Sequence, residues 1–195
     1  MATTKSQRIG IWVIAITMLA GTIGTFVTYA ISVSGSSSSS SSNNEELLKQ
    51  YQEQQKTAAK ENAAKAEALT GYSAGAFDAA SVKELKVETL VEGTGDALKA
   101  DSSIKASYFG WLSTGEIFDS SKKKNTDDAP ITFSLTGVIK GWTEGLTGVK
   151  VGSVVRLTIP ADKAYGSTGS GIIPANAPLQ FIVQIHSIEA STTKS

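Results

Sequence analysis

The stretch from Gly137 to Leu146 limits what this chain can fold into more than any other. A turn glycine and the β-branched pair Val138 and Ile139 lead into a short helix carrying Trp142. An indole is too large for so short a helix to bury by itself, so it must lie against another surface, most simply a sheet. The sequence on both sides is strand-like. The pattern predicts an apolar pocket with Trp142 as its floor and Val138 and Ile139 on its wall.

The strands can be read in order. Val82, Leu85, Val87 and Leu90 sit among charges, and Glu92 to Asp96 forms a turn. Ile104 to Trp111 is the next strand, and Gly115-Glu116 turns into Ile117 to Ser121. Ile131 to Leu135 alternates, as a strand with one buried face does. Val154 to Pro160 follows the helix. A glycine-rich loop from Ala161 to Pro178 leads to the last strand, Leu179 to Ile188, where Phe181, Val183 and Ile185 share a face and His186 takes the other. The expected fold is an α+β domain over 82–190: an antiparallel β-sheet wrapped around one short α-helix, with a tail at 191–195.

The first 81 residues read differently. Ile9 to Val33 carries no charge and has Trp12 and Tyr29 near its ends, which suits a transmembrane helix of about 20 residues with interfacial aromatics. Lys5 and Arg8 precede it, and no basic residue follows until Lys49. The positive-inside rule then places residues 1–8 in the cytoplasm and the domain outside, on a single-pass anchor at 9–33. Small residues at Ala30 and Ser32 leave a cleaved signal, and hence secretion, as the alternative. A serine-rich linker covers 34–43. A capping box at Ser42 to Glu45 opens an Ala-, Glu- and Lys-rich helix over 44–70, read as a solvated spacer, and 71–81 is a connector.

Composition excludes several functions. Lys+Arg and Asp+Glu balance at 18 each, so no basic excess points to nucleic acid. With no cysteine and one histidine, thiolate and two-imidazole metal sites are ruled out, and the carboxylates lack ligand spacing. Gly166 to Gly171 lacks the lysine and the strand–turn–helix context of a phosphate loop. No cofactor is expected.

Five segments occur in order: Tyr108-Phe109-Gly110; Gly115 to Ser121; Val138 to Gly145; Ala164-Tyr165-Gly166; and Gly171 to Phe181. Together they closely resemble the FKBP-type (macrolide-binding) peptidyl-prolyl cis-trans isomerases, over about Lys83 to Ala190. The resemblance implies catalytic roles for Tyr108, Asp119 and Tyr165. It implies substrate-binding roles for Phe118, Ile131, Val138, Ile139, Trp142, Ile172, Ile173 and Phe181. Proline-containing polypeptides become the expected substrates, and macrolide inhibitors candidate ligands. Three positions depart from the family pattern: Ile131 where an aromatic is frequent, Ser170 in a slightly shortened loop, and Lys124 where an arginine often pairs with the aspartate.

The chemistry needs no nucleophile. An Xaa-Pro bond must cross a barrier of about 18–20 kcal/mol that is mostly lost amide resonance. The twisted amide separates less charge than the planar one, so a dry apolar site favours it: differential transition-state binding. A weakly catalytic binding module using the same pocket is the alternative, favoured by Ile131 and Ser170. A structural tether built on the spacer helix is a third reading, opposed by that helix's weak apolar stripe.

Overall fold

The structure is a computed structural model that describes residues 41–189. The expected cytoplasmic segment, the anchor at 9–33, most of the serine linker and the tail at 191–195 lie outside the described residues. Among those described, no helix is long and apolar enough to cross a membrane.

Six strands form one antiparallel sheet: β1 (Lys86–Val91), β2 (Ser103–Leu112), β3 (Ile117–Ser120), β4 (Ile131–Ser134), β5 (Val154–Ile159) and β6 (Leu179–Glu189). The order is β1-β5-β6-β2-β3, with β4 also pairing β2. The β2–β6 ladder is its spine and sets Tyr108 opposite Val183 and Gly110 opposite Phe181.

On one face lies the helix α2 (Lys140–Leu146), which buries Gly141, Trp142, Gly145 and Leu146. Glycine costs a helix about 1 kcal/mol relative to alanine. Here the cost accompanies close packing, because a Cβ on Gly141 would stand 2.3 Å from Ile159 Cγ2. Thr143 Oγ1 donates to the Leu135 carbonyl at 2.5 Å and ties the helix to the turn before it.

The opposite face is covered as well. Leu69 joins Phe109, Trp111, Val154 and Ile182 in a second apolar cluster, with Tyr72 and Phe77 packed against it. Trp111 Nε1 donates to the Gly75 carbonyl at 2.9 Å, and the Phe77 N–H donates to the Ser113 carbonyl at 3.0 Å. Residues 71–77, expected as a connector, therefore help close the back of the sheet. Cover on both sides explains why β2 is buried along nearly its whole length rather than alternating.

The N-terminal helix, α1, runs Ser41–Lys65 and stops short of the expected residue 70. Ala66 leaves it to bridge with Lys123. The Lys124 N–H donates to the Lys65 carbonyl at 2.7 Å, and the Glu67 N–H donates to the Lys122 carbonyl at 3.1 Å. Ser120 Oγ adds a bond to the Glu67 carbonyl at 2.6 Å. The expectation of a lone solvated spacer is corrected here, since the last turns of α1 dock on the domain beside β3.

Candidate active site

The indole of Trp142 is enclosed by aromatic edges. Tyr108 stands 5.3 Å away at 86°, Phe181 5.2 Å at 87°, and Phe133 5.1 Å at 59°. Phe118 in turn meets Phe181 edge-on at 5.5 Å. Edge-to-face contacts suit the ring quadrupoles and lock these side chains together. Trp142 is 3% exposed, and its Nε1 is buried with no hydrogen-bond partner among the described residues.

Asp119 sits at the end of this apolar cluster with both oxygens occupied. Tyr108 donates its O–H to Oδ2 at 2.6 Å. Oδ1 accepts from the Ser120 N–H at 2.8 Å and from Asn62 Nδ2 at 2.6 Å. Lys123 Nζ pairs with the same oxygen at 3.3 Å. The sequence pointed to Lys124 as the cation opposite Asp119, but Lys123 fills that place, because the backbone of Lys124 is turned into pairing with Lys65.

Both phenols of the site stay protonated near neutrality. Burial, and then the Asp119 carboxylate, push the Tyr108 hydroxyl well above the usual tyrosine range. The same two causes raise Tyr165 to about 12. The Tyr165 side chain lines the same cavity as Asp119. The Ile139 N–H is uncommitted among the described residues, at the extended residue that precedes α2.

Phe118, Asp119, Tyr165, Ser170, Ile172 and Ile173 line a cavity of about 30 Å³, together with Ala59 and Asn62 from α1. The loop over it is held by reciprocal backbone bonds between Ser170 and Ile173, at 3.0 and 2.8 Å. Gly169 takes φ +70° there, and a Cβ on it would strike the Ile173 carbonyl at 2.4 Å.

The structure brings Tyr108, Phe118, Asp119, Trp142, Ile173 and Phe181 into one buried core. Ile131, Val138, Ile139, Tyr165 and Ile172 pack against it half-buried. Trp142 is not among the residues that line this cavity, and Tyr108, Phe133 and Phe181 pack around its indole. Sequence reasoning passed over Ala59, Asn62 and Lys123. Asn62 is one polar residue among many on an Ala-, Glu- and Lys-rich helix, and nothing in its spacing marks it.

A second polar cluster does not offer nucleophilic chemistry. Ser107 Oγ donates to Asp128 and lies 2.8 Å from His186 Nε2, while Ser121 Oγ donates to the other Asp128 oxygen at 2.7 Å. A nucleophilic serine needs its histidine oriented by the acid. Here the serine stands between the two and is fully buried. Among the described residues no group of three or more His, Asp or Glu side chains is placed to hold a metal.

The chain is similar to proteins of one known family. The family model described as FKBP-type peptidyl-prolyl cis-trans isomerase matches residues 95–186. The chain is 45% identical over 97 residues to FkpA, an FKBP-type peptidyl-prolyl cis-trans isomerase of Aeromonas hydrophila, covering 50% of this chain and 35% of that protein. The Escherichia coli K12 FkpA is 40% identical over 101 residues, 52% of this chain and 36% of that one. The chain thus spans about a third of the length of these longer relatives. An FK506-binding protein of Neisseria meningitidis serogroup A is 41% identical over 102 residues, covering 52% of this chain and 93% of that protein. Among solved structures, a peptidyl-prolyl cis-trans isomerase from Pseudomonas syringae superposes with a TM-score of 0.50 at 29% identity, over 70% of this chain and 95% of that one.

Proposed function

The chain belongs to the FKBP-type peptidyl-prolyl cis-trans isomerase family, and on that footing we propose that it speeds cis–trans isomerisation of Xaa-Pro bonds in polypeptide substrates. The observation that carries the reading is the joining of one apolar aromatic cluster to a hydrogen-bonded acid, Asp119, and a phenol, Tyr165, that lines the same cavity. That pairing of a dry wall with a few aimed donors is what a rotating amide requires.

The roles follow from the chemistry of each group. Phe118, Ile172 and Ile173 receive the prolyl ring, with Phe181 and Trp142 packed behind. Val138 and Ile131 close the apolar side. The Tyr165 O–H and the Ile139 N–H hold the carbonyls that flank the rotating bond. Tyr108 holds Asp119 in place through its hydrogen bond, so the carboxylate faces the twisted carbonyl group. No covalent intermediate forms, and no proton moves.

Residues 9–33 would anchor this domain, with the domain facing outward and acting on exported or surface proteins. The charge pattern around that segment supports the placement. Slow prolyl isomerisation limits the folding of many chains, which gives a catalyst tethered at the exit face a use. The test is the isomerisation of a Xaa-Pro peptide by the full chain, with and without a macrolide of the FK506 type. Catalysis that the macrolide abolishes supports the reading, and a rate no faster than the spontaneous one refutes it.

A further inference from the structure

The mouth of the pocket is occupied by the chain itself. Asn62, on the last turns of α1, gives its Nδ2 hydrogen to Asp119 Oδ1 at 2.6 Å and accepts from Lys123 Nζ at 2.7 Å. Three residues earlier, one turn back on the same face, Ala59 closes on the overhanging loop. A Cβ on Gly171 would stand only 2.7 Å from the Ala59 methyl carbon. The remaining cavity of about 30 Å³ is well below the roughly 150 Å³ of a protein cavity that admits benzene.

The attachment is local. Backbone bonds pin residues 65–67 to the segment after β3. Further back, α1 stands out from the domain, with Leu47 49% and Tyr51 53% exposed. A swing about Ala63 and Ala64, just before the pinned residues, would remove Ala59 and Asn62 from the mouth and leave residues 65–67 and the sheet in place.

We propose that α1 is an autoinhibitory lid: its Asn62 amide takes the acceptor on Asp119 and its Ala59 seals the loop, so substrate enters only when the helix lifts. The inference rests on the isomerase reading and adds regulation at the same site. A docked helix lowers apparent substrate affinity by the fraction of molecules that are open. Anything that draws α1 away, such as tension on the segment before it or a partner on its exposed Leu47 and Tyr51, would raise activity.

The test uses the full chain and two substitutions. Asn62→Ala removes the amide, and Ala59→Leu puts a side chain where Gly171 leaves no room. The chain has no cysteine, so Lys56→Cys and Lys99→Cys, both at exposed positions, take spin labels uniquely. The expected result is a rise in kcat/KM for a Xaa-Pro peptide of about tenfold in each lid variant, the scale of one lost hydrogen bond to a charged group. A longer and broader label distance should accompany it. Folded variants with kcat/KM at or below that of the unaltered chain, or with unchanged label distances, overturn the lid. If no form of the protein exceeds the spontaneous rate, the isomerase reading fails by itself. The label distance then decides the lid alone: a longer one in Asn62→Ala supports it, and an unchanged one overturns it.

Discussion

Tyr108 gives its phenolic hydrogen to Asp119 across 2.6 Å while the edge of the same ring rests on the Trp142 indole, 5.3 Å between centroids. One side chain thus couples the apolar cluster to the acidic rim. Tyr108→Phe keeps the ring contact and removes the bond. A buried hydrogen bond to a charged group contributes about 1.5–3 kcal/mol. The expected outcome is a stability loss of that size by urea unfolding, with the slope unchanged, and a lower kcat/KM because Asp119 is no longer fixed. Equal stability would mean that the carboxylate finds another donor.

Trp142 should dominate the core energetics. Truncating it to alanine removes the ring on which Tyr108, Phe133 and Phe181 all pack. Losses of about 3–5 kcal/mol are typical for such a change. Trp142→Phe should cost clearly less, since it keeps an aromatic face and deletes an indole N–H that lacks a partner among the described residues. Thermal or denaturant unfolding of the two variants side by side checks the order.

Gly141 tests how closely α2 approaches β5. Alanine usually improves a helix by about 1 kcal/mol over glycine. Here its methyl would meet Ile159 at 2.3 Å, so Gly141→Ala should instead destabilise by about 1–3 kcal/mol. Gly137→Ala is the control, because nothing lies within 4 Å of a Cβ there. Urea midpoints should drop for the first and stay nearly constant for the second.

The pH profile follows from the two tyrosines. Tyr165 is raised from 10.0 to about 12, so the folded state favours its protonated form. The stability this lends is full below about pH 10 and disappears as pH climbs toward 12. Tyr108 shifts in the same direction. Catalysis should be flat between about pH 6 and 8, where neither phenol titrates. A pH–rate profile with a bell centred near 7 would require an acid–base group that this site does not present.

Much of the fold can be traced in the residues. The alternation of Ile131 to Ser134, the apolar face of β6 and the short helix around Trp142 all follow period and turn chemistry. The site is legible only in part. Tyr108 and Asp119 are eleven residues apart and meet across a ladder whose turn the sequence marks. Asn62 and Asp119 are 57 apart and meet through packing between elements, which leaves no local pattern. Ala59 is small because a loop glycine comes close to it, yet in sequence it looks like any alanine in a helix. The choice between Lys123 and Lys124 depends on a backbone pairing with Lys65 that exists only once α1 has docked. Leu69, Tyr72 and Phe77 were too sparse to signal a second apolar layer, and only the burial of Phe109 and Trp111 on the far face of β2 explains them.

The most direct measurement is the rate of cis-to-trans conversion of one Xaa-Pro peptide, taken with the full chain, with Asn62→Ala and with Asn62→Ala combined with Tyr165→Phe. The account expects catalysis above the spontaneous rate in the full chain, faster catalysis in Asn62→Ala, and a drop of about tenfold or more when Tyr165 loses the hydroxyl that holds the carbonyl. Folded protein that leaves the spontaneous rate unchanged in all three forms would contradict it.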